Sequence, residues 1–231
     1  MKTIILSSVL VLTMATGIAQ ANTITSLYNT GVNASDGLLS NNAVDSHYTL
    51  VSEPSGTVSN APTYANHSLW PVGSQYGAAP TNADWIGPDP VAGTTDAEGK
   101  FDFRTTFNLT GLNPSSAVIS GLWAADNQGY SILLNGKSLG VIFAPTTTTF
   151  SLTSFSITSG FVSGVNTLDF IETNFSGSTG NPTSLLVEMT GTANAAVPEP
   201  TSVALLGIGL LGFAAVKKLT AKKQYARHCK S

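Results

Sequence analysis

His47 and His67 are the first residues whose chemistry suggests a site, being the two histidines outside the C-terminal tail. They stand in loop-like sequence with no H-E-x-x-H arrangement or other metal spacing, so solvated histidines are expected there. A serine nucleophile would need a setting such as G-x-S-x-G, and none occurs. Nothing in the order of serines, histidines and acids points to a triad, and no catalytic activity is expected. The carboxylates offer a second route. Asp169 and Glu172 fall on one strand at an odd spacing, which sends them to opposite faces. Asp126 and Asn127 lie in the polar run Ala124–Gly129, where turn chemistry accounts for both residues. Loops at the end of a β-fold also carry ligands, so the pair doubles as a binding candidate. Asp84, Asp89, Asp126 and Asn127 are oxygen donors suited to calcium, but no D-x-D-x-D pattern gathers them, and no metal is expected. Tryptophan rings are platforms on which a sugar can stack. Trp123 ends an apolar strand and belongs in a core, whereas Trp70 and Trp85 lie near loops. Trp85, Asp126 and Asn127 are therefore the ligand-binding candidates.

The elements that must position these residues are strands. Residues 22–196 are rich in Thr, Ser, Asn and Gly, with short alternating runs between turn residues and no long amphipathic helix pattern. The clearest strand runs from Phe101 to Leu109. Period two puts Phe101, Phe103, Thr105, Phe107 and Leu109 on one face and Asp102, Arg104, Thr106 and Asn108 on the other. Further strands are predicted at Ala117–Trp123, Tyr130–Leu134, Leu139–Phe143, Thr149–Ile157, Asn166–Thr173 and Leu185–Thr192. Asn135-Gly136 forms the two-residue hairpin turn between the second and third of these. Prolines 54, 62, 71, 80, 88 and 90 interrupt the region before Gly99, which reads as loop-rich. The pattern predicts an all-β sandwich in a single domain.

Both ends differ from this middle. Lys2 precedes an apolar run, and Ala19-Gln20-Ala21 is a small-x-small cleavage site, so 1–21 reads as a signal peptide. Val197-Pro198-Glu199-Pro200 holds the chain extended through its two prolines. Residues 201–216 carry no charge, and Lys217, Lys218, Lys222, Lys223, Arg227 and Lys230 follow. That pattern predicts one short transmembrane helix with its basic tail in the cytoplasm, in accord with the positive-inside rule.

Charge and cysteine narrow the function classes. Between residues 22 and 200 lie three basic residues and all thirteen acidic ones, a net of −10. Such a segment does not seek nucleic acid, whose phosphates require a basic surface. Cys229, in the tail, is the single cysteine, so no disulfide framework supports the domain. Its stability must come from a packed core.

The Val-Pro-Glu-Pro motif, the short glycine- and leucine-rich span and the basic tail resemble the PEP-CTERM sorting signal of Gram-negative bacteria. Lys217-Lys218 stands where that family has arginines. The resemblance implies export through the Sec machinery, cleavage by signal peptidase and transient anchoring in the inner membrane. An exosortase would then process the protein at Val197, Pro198, Glu199 and Pro200. It further implies a non-catalytic protein of the cell surface or extracellular matrix, associated with exopolysaccharide and biofilm, without cofactors. The region 101–192 also resembles the galactose-binding-like jelly roll found beside secreted glycosidases. Phe103-Arg104-Thr105-Thr106-Phe107, Leu134-Asn135-Gly136 and Gly164-Val165-Asn166-Thr167-Leu168 carry that likeness. It implies the alternative function, a carbohydrate-binding module that recognises a polysaccharide through the loops at the end of the sandwich.

Overall fold

A computed structural model describes residues 20–66, 82–91, 95–140, 152–175, 181–196 and Gly209. Ala19, His67, Trp70, the Val197–Pro200 motif and, apart from Gly209, the span 201–216 lie outside these. Among the described residues no helix is long and apolar enough to cross a membrane.

The fold is all-β. Eleven strands form one antiparallel sheet: β1 (Ala21–Thr23), β2 (Val44–Glu53), β3 (Gly56–Ala65), β4 (Ile86–Gly87), β5 (Gly99–Asn108), β6 (Val118–Asp126), β7 (Gln128–Leu134), β8 (Lys137–Ser138), β9 (Thr153–Ile157), β10 (Val165–Asn174) and β11 (Ser184–Asn194). Their order is β8-β7-β10-β5-β2-β3-β4-β11-β6-β9, with β1 paired to β11. The two-residue β4 joins the larger group of strands to β11, β6 and β9. The sheet curls there, so the two groups face each other like the layers of a sandwich. Phe170 of β10 meets Trp123 of β6 at 5.8 Å and Phe155 of β9 at 5.9 Å between ring centroids. These rings, with Tyr48, Leu50, Phe103, Leu185 and Val187, form one continuous core.

Local sequence explains the frame. In β5 the residues Phe101, Phe103, Thr105 and Phe107 are buried while Thr106 and Asn108 are exposed, as alternation requires. Asn135 and Gly136 have φ of 52° and 75°, the two positive values of a type I′ hairpin turn. Asn135 Nδ2 donates to Asn166 Oδ1 at 2.9 Å, and Thr167 N donates to Asn135 Oδ1 at 3.0 Å. The turn is thereby tied to the start of β10. The returning strand is β8, two residues long, rather than the expected Leu139–Phe143; Leu139 and Gly140 are not in a strand, and 141–143 lie outside the described residues.

The region before Gly99 departs further from expectation. It contains the ten-residue strands β2 and β3, paired to each other, with β2 also paired to β5. Register shifts interrupt the β2–β3 ladder, and Pro62 opposes Thr49 beside one of them, a place where a missing donor is tolerated. Buried Asp45 holds the preceding loop: its Oδ2 accepts from Gly31 N at 2.7 Å and its Oδ1 from His47 N at 2.8 Å. His47 is not a freely solvated side chain. Its ring stacks on Tyr28 with centroids 3.6 Å apart.

On the outer face of β5 and β10, Arg104 Nε and Nη2 donate to the two carboxylate oxygens of Asp169, at 2.6 and 3.0 Å. Asp102 lies beside this pair. Burial, followed by the nearby charge of Asp169, raises its carboxyl to about 6, against the opposing pull of Arg104. The native state then holds a proton that the unfolded chain has lost between about pH 4 and pH 6. Stability is full below that window and falls as pH rises through it. Asp102→Asn is expected to flatten this slope and to raise stability at pH 7 by about 1 kcal/mol, discounted for partial exposure. Urea titrations of both chains at pH 4.5 and 7 read the difference directly.

Candidate functional site

The chain passes from one layer to the other at Asp126-Asn127, between β6 and β7. Three other segments meet this corner: the end of β10, the start of β11 and the loop between β4 and β5. Thr183 is their junction. Its N–H donates to Asp96 Oδ2 at 2.6 Å, and its hydroxyl donates to the main-chain oxygen of Asp126 at 2.8 Å. The same hydroxyl contacts Oε1 of Glu172. One hydroxyl hydrogen cannot serve both acceptors fully, so both contacts are satisfied when Glu172 carries a proton.

Glu172 is wholly buried, pointing inward between Phe170 and Asn174 as the odd spacing from Asp169 requires. Burial raises its carboxyl well above the usual carboxylate range, and the charges of Asp126 and Asp96 add to the effect. Its Oε2 has no hydrogen-bond partner. Asp96 is half-buried on the loop, and desolvation raises it to about 7 despite the N–H of Thr183. A hydrogen bond from its carboxyl to that of Asp89, together with the charges of Asp89 and Glu53, raises it further.

Amides close the rest of the corner. Asn127 Nδ2 donates to Asp126 Oδ1 at 3.0 Å, and its Oδ1 accepts from Phe175 N at 2.7 Å. Asn174 Nδ2 donates to the main-chain oxygens of Asp96 and Ala97. Asn181 Nδ2 donates in turn to Asn174 Oδ1 at 2.9 Å and to Phe175 O at 2.7 Å. No basic side chain neutralises the acids. Arg104 is held by Asp169, Lys100 lies 3.4 Å above the ring of Tyr130, and Lys137 stands at the far end of β7.

Asp126 and Asn127, proposed from sequence as ligand residues, are thus together at the corner, where Asn127 is engaged in closing it. Trp85 is not available as a platform. It is 0% exposed and packs with Ala83, Ala124 and Leu186 in a second, smaller core, because a large apolar ring is more stable beneath the sheet than in water. Trp123 is buried as expected. Sequence reasoning missed Glu172 and Asp96 as partners of Asp126. Glu172 had one signal, an acid at an inward position of an apolar strand; Asp96 had none.

A separate groove lies over the outer face of β6, β9 and β11. Asn29, Asn82, Ser120, Ser154, Glu188 and Thr190 contribute to its walls, and it encloses about 470 Å³.

Residues 196–218 match the family model described as the PEP-CTERM protein-sorting motif. The chain therefore carries that sorting motif, which points to export and surface sorting by an exosortase. No curated protein matches the chain.

Proposed function

We propose that this chain is a non-catalytic protein of the cell surface or extracellular matrix, made for an exopolysaccharide or biofilm setting. The sorting motif at 196–218 carries the reading. In this reading, residues 1–21 direct Sec export and are removed by signal peptidase. The span 201–216 then anchors the protein in the inner membrane with its basic tail in the cytoplasm until an exosortase acts. The exported part is the β-domain, of galactose-binding-like jelly-roll type, and it takes no cofactor for catalysis.

Glu199→Ala tests the assignment. In cells carrying an exosortase the variant is expected to accumulate in the membrane fraction while the parent protein is released or surface-bound. The change lies outside the strands, so the stability of the β-domain should stay within about 0.5 kcal/mol of the parent. Fractionation with sequencing of both mature termini decides it, and equal release of the two proteins would reject the sorting role of Glu199.

One observation favours polysaccharide binding as a second role: the groove over β6, β9 and β11, whose walls offer hydroxyls and amides. With Trp85 buried, the loop end has lost its ring platform, and the groove becomes the better place for a sugar chain. A glycan array on the full chain, repeated with Ser154→Tyr to block the groove, addresses it. Binding unaffected by that change would exclude the groove.

A further inference from the structure

The corner acids have no use in sorting, and their arrangement is costly as it stands. A buried carboxylate oxygen without a partner is strongly disfavoured, and Glu172 Oε2 is such an atom. Asp96 and Asp126 are close enough to raise Glu172 further, and Asp96 meets the carboxyl of Asp89. Carboxyls gathered in this way need either protons or a cation between them. The described basic side chains are engaged elsewhere.

We propose that Glu172, Asp96 and Asp126 bind a divalent, oxygen-seeking cation, with calcium the best fit, at the corner between β6 and β7. The donors are all oxygens, which selects a hard cation over a transition metal. Calcium accepts irregular shells that mix carboxylates, carbonyls and water, whereas magnesium demands a near-ideal octahedron. No three described acidic, histidine or cysteine side chains already stand in a metal cluster. Binding therefore draws Asp96, on its loop, towards Glu172. The Thr183 N–H that holds Asp96 and the Thr183 hydroxyl beside Glu172 keep the two carboxyls within the same corner. The D-x-D-x-D test missed the site because its acids come from three segments, the β4–β5 loop, the end of β6 and the end of β10.

The cation fastens the β4–β5 loop to the point where the chain changes layers. The consequence is a domain that gains rigidity at this end in a calcium-containing medium. This proposal is independent of the sorting assignment, since it concerns residues of the β-domain alone.

The test uses the full chain, purified in detergent, stripped with EDTA and held at pH 7.5. Calcium chloride is expected to bind at one ion per chain by equilibrium dialysis and to raise Tm by about 5 °C at saturation. Magnesium chloride and matched sodium chloride should produce less than half that shift. Asp96→Asn should abolish both the stoichiometric binding and the shift, while its EDTA-treated Tm stays within about 2 °C of the parent or rises, since a like charge is removed. Glu172→Gln should lose binding likewise. Should Glu172→Gln not fold, Asp96→Asn on the half-buried loop decides alone. A flat calcium dialysis, a response to magnesium or salt equal to that to calcium, or full calcium binding by Asp96→Asn overturns the proposal.

Discussion

Phe170→Ala is expected to cost the β-domain about 3–5 kcal/mol, the range for emptying a buried phenylalanine site. The ring is fully buried in β10 and reaches across the core to Trp123 and Phe155. It therefore belongs to both layers at once. Removing it takes away the ring's own transfer energy and leaves a cavity bounded by two other aromatics. Neither neighbour can fill that space without leaving its own contacts, because Trp123 is anchored in β6 and Phe155 in the edge strand β9. A marginal domain has only about 5–15 kcal/mol to lose, so the variant should be partly unfolded near body temperature. Urea unfolding followed by tryptophan fluorescence measures it, with Val165→Ala, an exposed change on the same strand, as the comparison. A loss below about 1 kcal/mol would mean that the two layers do not depend on this ring.

Arg104→Ala should be nearly as damaging, at about 2–3 kcal/mol. The Asp169 side chain is 2% exposed and the Arg104 side chain 35%. Losing one partner of a buried pair costs about 3–5 kcal/mol, and the partial exposure of Arg104 lets water recover some of that. Asp102 adds to the damage, because the carboxyls of Asp102 and Asp169 would then face each other with no cation between them. The variant's deficit should shrink below pH 5 as these acids take up protons. Asp169→Asn in the Arg104→Ala background should restore about half of the loss, since the stranded charge is removed. A double variant no better than Arg104→Ala would show that packing of the arginine stem, rather than charge, sets the cost.

The regular parts of the fold were legible from sequence. β5 alternates cleanly because one of its faces lies on the core along its whole length. Asn135-Gly136 reads as a turn because few residues other than asparagine and glycine accept the backbone it needs. The two turn motifs at Asn135 and Asn166 proved to be halves of one amide network, a contact that the spacing did not reveal. The β2–β3 hairpin was hidden by its irregularities. Bulges break the period on which strand reading depends, Pro62 speaks against a strand, and Asp45 is a buried acid where pattern expects an apolar residue. Trp85 misled for a related reason: it precedes a strand of two residues, too short to leave a pattern, yet that strand joins the two halves of the sheet. Of the site, Asp126 and Asn127 were visible as polar turn residues. Their acidic neighbours were not, because only the curl of the sheet brings Asp96 and Glu172 to them.

The pairing of β1 with β11 has a mechanical meaning. Ala21 lies opposite Asn194 and Thr23 opposite Thr192, so the chain comes into the domain and leaves it side by side. Tension applied through the two ends of such a pair peels it from the tip, one rung after another, instead of shearing all rungs together. The three rungs of β1 are the weak member, and the nine that join β11 to β6 are the strong one. The main-chain N–H of Asn194 donates to Ser116 Oγ at 2.9 Å, and its oxygen accepts from Asn113 N at 2.8 Å, which pins the outgoing strand just before the sorting segment. A stretched molecule would therefore release β1 at low force and lengthen slightly while its core stayed closed. It would behave as a tether with a built-in yield point.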